Sequence, residues 1–406
     1  MSGTITPVTR LYLARGLRDF GDGFVAILLP VYLAALGFDA IQIGLVATAA
    51  LLGSALMTIG VGLIGARTGY RRLLMAASAL MLLSGLALAA VSDYALILVA
   101  AFAGTINPSA GSVSVFVPLE HAALSQSIDD AKRTRAFARY SLIGALAAAV
   151  GSLAAASPDI LSSVGVSKIA ALKAMFILYA LLGLAGGLLY ARLPASSTSE
   201  GPPPAPLGPS RRIVYKLAAL FSVDAFAGGF VVQSLLALWL FGRFGMSLTG
   251  SGLFFFWSGV LAAFSFPVAA WLARRIGLVN TMVFTHIPSI LFLIAAAVAP
   301  TLEIALACLL FRAALSQMDV PTRSSYVMAV VTPPERAAAA SVTAVPRTLA
   351  AAMSPALAGA LYAAGLEAWP LIICGVLKII YDVVLLYSFR HVKPPEERDT
   401  ARMGSR

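Results

Sequence analysis

The sequence predicts an all-α integral membrane protein with twelve transmembrane helices in two pseudo-symmetric six-helix bundles. Three observations predict it. The 406 residues are 60% hydrophobic and only 12% charged, with a mean hydropathy of +0.90, whereas soluble domains carry about 25% charged residues. Apolar runs of bilayer-crossing length, roughly 20 residues each, recur from one end of the chain to the other. Motifs of the first half return in the second.

The runs fall at about 11–36, 41–65, 73–91, 95–119, 137–156 and 169–191, then at 214–241, 250–273, 279–299, 302–330, 338–364 and 368–389. The first run is interrupted by Arg15, Arg18, Asp19 and Asp22, so it reads as a retained span, not a cleavable signal. Between spans six and seven, residues 193–212 are rich in Pro, Ser and Gly, the composition of a flexible linker. The expected organisation is a bundle at 1–192, a cytoplasmic linker at 193–212, a second bundle at 213–390 and a cytoplasmic tail at 391–406.

A net charge of +11 would suggest nucleic acid in a soluble protein. Here the cations cluster between apolar runs and act as topology signals, so no nucleic-acid partner is expected; the lipid bilayer is. One alternate set of loops carries Arg67, Arg71 and Arg72, then Lys132, Arg133 and Arg135, then Arg211 and Arg212, then Arg274 and Arg275. The opposite set holds mainly Lys168 and Arg243. The positive-inside rule places both termini and the linker in the cytoplasm, which suits a multi-pass protein of the inner (plasma) membrane.

The repeat shows in three places. Gly-Asp-Gly-Phe-Val at 21–25 matches Ala-Gly-Gly-Phe-Val at 227–231. Val-Pro-Leu-Glu at 117–120 matches Val-Pro-Thr-Arg at 320–323. The spacing from Arg133 to Leu-Ala-Ala-Ala at 146–149 is that from Arg336 to the same four residues at 349–352. Duplicated halves around a central site are the usual build of secondary transporters.

On these spans, this linker and the loop Gly62-Leu-Ile-Gly65-Ala66-Arg67-Thr-Gly69-Tyr-Arg71-Arg72, the chain resembles the major facilitator superfamily, of bacterial type, over essentially its whole length. The loop is similar to that family's Gly-x-x-x-Asp-Arg-x-Gly-Arg-Arg signature. It departs at Ala66, where the family has Asp, and Ala273-Arg274-Arg275-Ile-Gly277 in the second half also lacks the acid. The Arg and Gly parts carry over; an acid latch does not. The proline-glycine signature of many drug/proton antiporters is not evident in span five, since Gly144 to Gly151 holds no proline. The resemblance implies a proton-coupled secondary transporter, a monomer, that moves a small-molecule substrate by alternating access.

Ionisable residues inside membrane spans mark functional sites by default. Asp224 stands where the repeat places Arg18 and lies about 16 Å into its span at 1.5 Å per residue. It is the first candidate for proton coupling, with Asp22 and Asp19 assisting; a salt bridge from Asp224 to Arg312 or Arg347, and one from Asp22 to Arg18, are the alternatives. Arg15 reads as a snorkelling residue at the cytoplasmic end. Arg312 and Arg347 could clamp an anionic group on a substrate or pair with Asp224 and Asp319. Asn107, Ser112, Ser114 and Gln233 could line a cavity or bond between helices.

Arg312, Ser316, Asp319 and Arg323 share one helix face. Glu120 and Arg323 are repeat mates of opposite charge, and in the resembled family spans four and ten approach when the cytoplasmic side closes. A gate built from Glu120, Arg323, Asp319 and Arg18 follows, with a local Asp319–Arg323 pair as the competitor. Lys378 and Asp382 are expected to satisfy each other at i, i+4. Phe254-Phe-Phe-Trp257 reads as lipid packing or as a wall for a ring-bearing substrate.

No catalytic constellation, metal motif, nucleotide-binding loop or cofactor site is apparent. His121, His286 and His391 lie far apart, and Cys308 and Cys374 fall within apolar spans as buried thiols. The chain therefore reads as a transporter, not an enzyme. Export of a moderately apolar organic compound is favoured, import of an anionic metabolite is the alternative, and a receptor or assembly factor without transport remains a third class.

Overall fold

The computed structural model describes residues 6–109, 114–128, 130–194, 207–332 and 335–390. The side chains of Arg67, Lys132 and Arg133, the position of Ser112, most of the linker and the tail with His391 lie outside the described residues.

The described residues form sixteen helices and no strand. They fall into the twelve expected stretches because three spans are broken and one short helix is added. The unbroken spans of the first half are α1 (Pro7–Ala35), α2 (Ala40–Thr68), α3 (Tyr70–Ala90), α6 (Asp130–Ala154) and α8 (Lys168–Ala191). Span four is split into α4 (Tyr94–Ala103) and α5 (Phe116–Gln126), and the short α7 (Ser157–Ser163) follows span five. In the second half, span seven is α9 (Arg211–Gly229) plus α10 (Gln233–Phe244), and span ten is α13 (Leu302–Ser316) plus α14 (Asp319–Val330). The others are α11 (Leu248–Ile276), α12 (Leu278–Ala297), α15 (Arg336–Ala363) and α16 (Trp369–Phe389). Eight helical stretches are long and apolar enough to cross a bilayer on length and composition alone.

Helix starts carry the residues that satisfy free backbone N–H groups. Asp93, Ser167 and Thr301 cap α4, α8 and α13 through their side chains. Asp39 and Gln42 form a reciprocal capping box at the start of α2, at 2.8 and 3.0 Å. Gly69 and Gly277, repeat-related, precede α3 and α12 with φ of +82° and +87°, a backbone that side-chain-bearing residues rarely adopt. The glycine of the loop signature is thus a geometric requirement. Gly62 is exposed near the end of α2, and Arg71 and Arg72 occupy the first turn of α3.

Two compact units emerge. The first holds residues 1–200 with 231–259 and 355–367; the second holds 201–230, 260–354 and 368–406. Inside a bilayer no hydrophobic force drives helices together, so close backbone packing at small residues does. Both units use one device. A Cβ on Gly23 of α1 would run into the backbone of Ala148 on α6, and a Cβ on Gly229 of α9 into that of Ala351 on α15. Gly151 likewise abuts the Phe20 backbone, while its repeat mate Ser354 donates a 2.5 Å hydrogen bond to the Phe226 carbonyl.

Candidate functional site

Each unit buries one cluster of charges, and each cluster is built on the first and fourth spans of its half. In the first unit, Arg18 on α1 donates to Glu120 on α5 at 2.9 Å, to Ser114 Oγ at 3.0 Å, and lies 3.3 Å from Asp19. Glu120 is fully buried and accepts two further bonds, from Tyr140 at 2.5 Å and Tyr190 at 2.6 Å. A desolvated carboxylate needs several donors, and α6 and α8 supply two of them. Arg15 pairs with Asp19 at 2.7 Å and lies over the Tyr140 ring, so it is buried within the bundle and does not snorkel.

Asp22, one helical turn above Asp19, is 1% exposed. The expected alternative partner, Arg18, is committed elsewhere. Its hydrogen bond comes from Tyr179 on α8, at 3.3 Å, and among the described residues no cation lies within ion-pair distance. Nearby, Asn107 is buried and accepts from the Ser109 backbone. Gln233 begins α10 with a buried amide nitrogen that lacks a hydrogen-bond partner among the described residues.

In the second unit, Arg323 on α14 donates to Asp224 on α9 at 3.0 Å and lies 3.2 Å from Asp319, four residues before it. Lys378 on α16 reaches the other oxygen of Asp224 at 2.5 Å. Asp224 thus holds two cations, neither of which is Arg312 or Arg347. The expected Lys378–Asp382 pair is corrected: Lys378 turns to Asp224, and Asp382 meets the His286 ring nitrogen at 3.0 and 3.1 Å. A partner on another helix offered each group better geometry than a neighbour one turn along.

Glu120 and Arg323, the candidate gate residues, each have a full set of partners within their own unit. The repeat explains the pattern: Arg18–Glu120 and Asp224–Arg323 occupy equivalent positions with the charges exchanged. Arg312 and Arg347 are half-buried, and among the described residues neither has a carboxylate within ion-pair distance. The Arg347 Nε is buried without a hydrogen-bond partner, and the Arg312 backbone is tied to Ser289 of α12 at 3.3 Å.

The aromatic run divides, with Phe254 and Phe255 buried and Trp257 exposed. Among the described residues no group of three metal-ligating side chains comes together.

The family model described as Major Facilitator Superfamily matches residues 11–318 and 225–405. An uncharacterised membrane protein of Saccharomyces cerevisiae, YJR124C, is 25% identical over 410 residues, covering 92% of each chain. Among solved structures, a bacterial homologue of the human lysosomal transporter Spinster, inward-facing and occupied, aligns with TM-score 0.73 at 16% identity, covering 94% of this chain and 96% of that one. The human organic anion transporter MFSD10 aligns with TM-score 0.66 at 17% identity, covering 93% and 98%.

Proposed function

Because the chain belongs to the major facilitator superfamily, a family of membrane transporters, we propose that it is a proton-coupled carrier of a small organic anion. It works by alternating access as a monomer of two six-helix bundles, residues 1–192 and 213–390, in an inner (plasma) membrane with both termini cytoplasmic.

The observation that carries the proton assignment is Asp22, a fully enclosed carboxylate whose hydrogen bond is to a phenol and not to a cation. It is the acid that can take up or release a proton without breaking an ion pair. Asp224 and Asp19 are engaged by cations, so protonating either means dismantling a buried pair, at several kcal/mol. The proton role therefore passes from Asp224 to Asp22. Arg312 and Arg347 support the anion: guanidinium groups inside a span with no carboxylate at ion-pair distance among the described residues call for an anionic ligand. The likeness to a protein titled an organic anion transporter accords with that reading. Export of a more apolar compound is the second reading, favoured by the buried Phe254 and Phe255.

The test is uptake of a panel of radiolabelled organic anions into proteoliposomes under an imposed pH gradient. The expected result is gradient-driven accumulation of at least one anion, abolished by a protonophore and by Asp22→Asn, with counterflow exchange retained in the variant. Accumulation that survives the protonophore would rule proton coupling out. Movement of neutral compounds alone would replace the anion reading with the second one.

A further inference from the structure

Tyr179 stands between two acceptors. Its hydroxyl lies 3.3 Å from Asp22 Oδ1 and 3.1 Å from the backbone carbonyl of Thr105, both longer than the usual ~2.7–2.8 Å of an O–H···O bond. The ring is fully buried and seated against Gly21 of α1, where any Cβ would strike it. The ring is held, and the hydroxyl hydrogen alone is free to turn. Thr105 belongs to the non-helical residues 104–109 that follow α4, and Pro108 among them accepts from the Ser234 backbone at the start of α10, at 3.0 Å.

A phenol carries one proton to donate. With Asp22 ionised, the carboxylate competes for it and the Thr105 carbonyl loses its donor. With Asp22 protonated, the carboxyl donates to the phenol oxygen and the phenol donates to Thr105, a chain in which each bond strengthens the next. One proton enters at Asp22, the phenol keeps its own, and only the direction of donation changes.

We propose that Tyr179 is a positioning residue that converts the protonation state of Asp22 into the conformation of residues 104–109, which follow α4. The inference rests on Asp22 as the proton carrier. The groups around Asp22 leave it that role. Arg15, Arg18 and Asp19 on α1 pair with one another or with Glu120; Glu120 of α5 and Tyr140 of α6 turn onto the same cluster, as does Tyr190 of α8. Before Arg67, α2 carries no ionisable side chain, and α10 carries only Arg243 near its far end.

Hydrogen exchange of the Thr105, Ile106, Asn107 and Ser109 amides in the full-length protein in nanodiscs, at acidic and alkaline pH and corrected for intrinsic rates, tests it. The wild type is expected to show about fivefold slower exchange at acidic pH, the effect of one net backbone hydrogen bond. Asp22→Asn should be slow at both values and Tyr179→Phe fast at both. A Tyr179→Phe protein that keeps the wild-type difference overturns the relay while leaving Asp22 as proton carrier. Loss of pH-gradient-driven uptake in Asp22→Asn, with no exchange difference in the wild type, also overturns the relay alone. Unimpaired gradient-driven uptake in Asp22→Asn overturns the proton reading itself.

Discussion

The two units solve one problem, holding charge inside a bilayer, with the same parts and opposite surpluses. In the first, Arg15 and Arg18 face Asp19, Asp22 and Glu120, which leaves one acid over. In the second, Arg323 and Lys378 neutralise Asp224 and Asp319, His286 sits on Asp382, and among the described residues Arg312 and Arg347 have no carboxylate within ion-pair distance. The two units thus separate charges that meet a partner on another helix from those that do not. The charge-exchanged pairs Arg18–Glu120 and Asp224–Arg323 hold the first span of each half to the fourth. The leftover acid and the two leftover guanidinium groups are the residues to which the proposed function assigns a proton and an anion.

The largest effect should come from breaking a scaffold pair. Glu120→Arg or Arg18→Glu alone leaves like charges buried together, and loss of a buried partner costs about 3–5 kcal/mol. Thermal unfolding in detergent should show both single variants strongly destabilised. The double reversal, which copies the order of the second unit, should recover a large part of the loss. No recovery would mean that the two clusters are not the same device.

A smaller effect of opposite sign is expected at the surplus charges. Arg312→Gln and Arg347→Gln remove a desolvated charge that has no carboxylate within ion-pair distance among the described residues, so the unliganded protein should unfold at an equal or higher temperature. Losing a charge-assisted bond of ~1.5–3 kcal/mol should raise the KM for an anionic substrate by about tenfold or more, with kcat less affected. If either variant unfolds as readily as the single reversals at Glu120, its arginine belongs to the scaffold.

The smallest effect concerns a contact outside the membrane. Glu335, between α14 and α15, accepts from Thr332 at 2.5 Å, from Ser210 Oγ at 2.7 Å and from the backbone of Gly208 and Ser210, clamping the start of α9. Its repeat counterpart in the first half is Lys132, so the first half has no carboxylate at this position. Hydrogen bonds from Thr332 and Ser210 hold the carboxyl down at about 2, below its ordinary 4.5. A lowered acid stabilises the fold fully above its ordinary value and loses that contribution as pH falls through the lowered one. Exchange protection of the Gly208 and Ser210 amides should therefore be full above pH 4.5, decline as pH falls from there and be lost below about 2. In Glu335→Gln it should be weaker than in the wild type above pH 4.5; equal protection there would make the clamp incidental.

Much of this was legible beforehand. Hydropathy is local, so the helical stretches could be read directly. Both repeat equivalences, Arg18 with Asp224 and Glu120 with Arg323, were also visible. Taken together they imply two charge-exchanged pairs, one per half; taken separately they suggested a gate across the halves. The tyrosines at 140, 179 and 190 carried no signal, because an apolar helix uses tyrosine equally well for packing. Nothing in the spacing linked His286 to Asp382.

Sequence by itself determined where the apolar helices fall, that motifs of the first half return in the second, and where those repeats differ in charge, since hydropathy, spacing and identity are properties of neighbours along the chain. Only the tertiary structure decided which charge meets which. The deciding partners are 102, 99 and 154 residues apart for Arg18–Glu120, Arg323–Asp224 and Lys378–Asp224, and their meeting depends on helix rotation and depth set by contacts such as Gly23 against Ala148. That register left Asp22 with a phenol and Arg312 and Arg347 without a carboxylate, because a buried charge bonds to whatever the packed helices bring within reach.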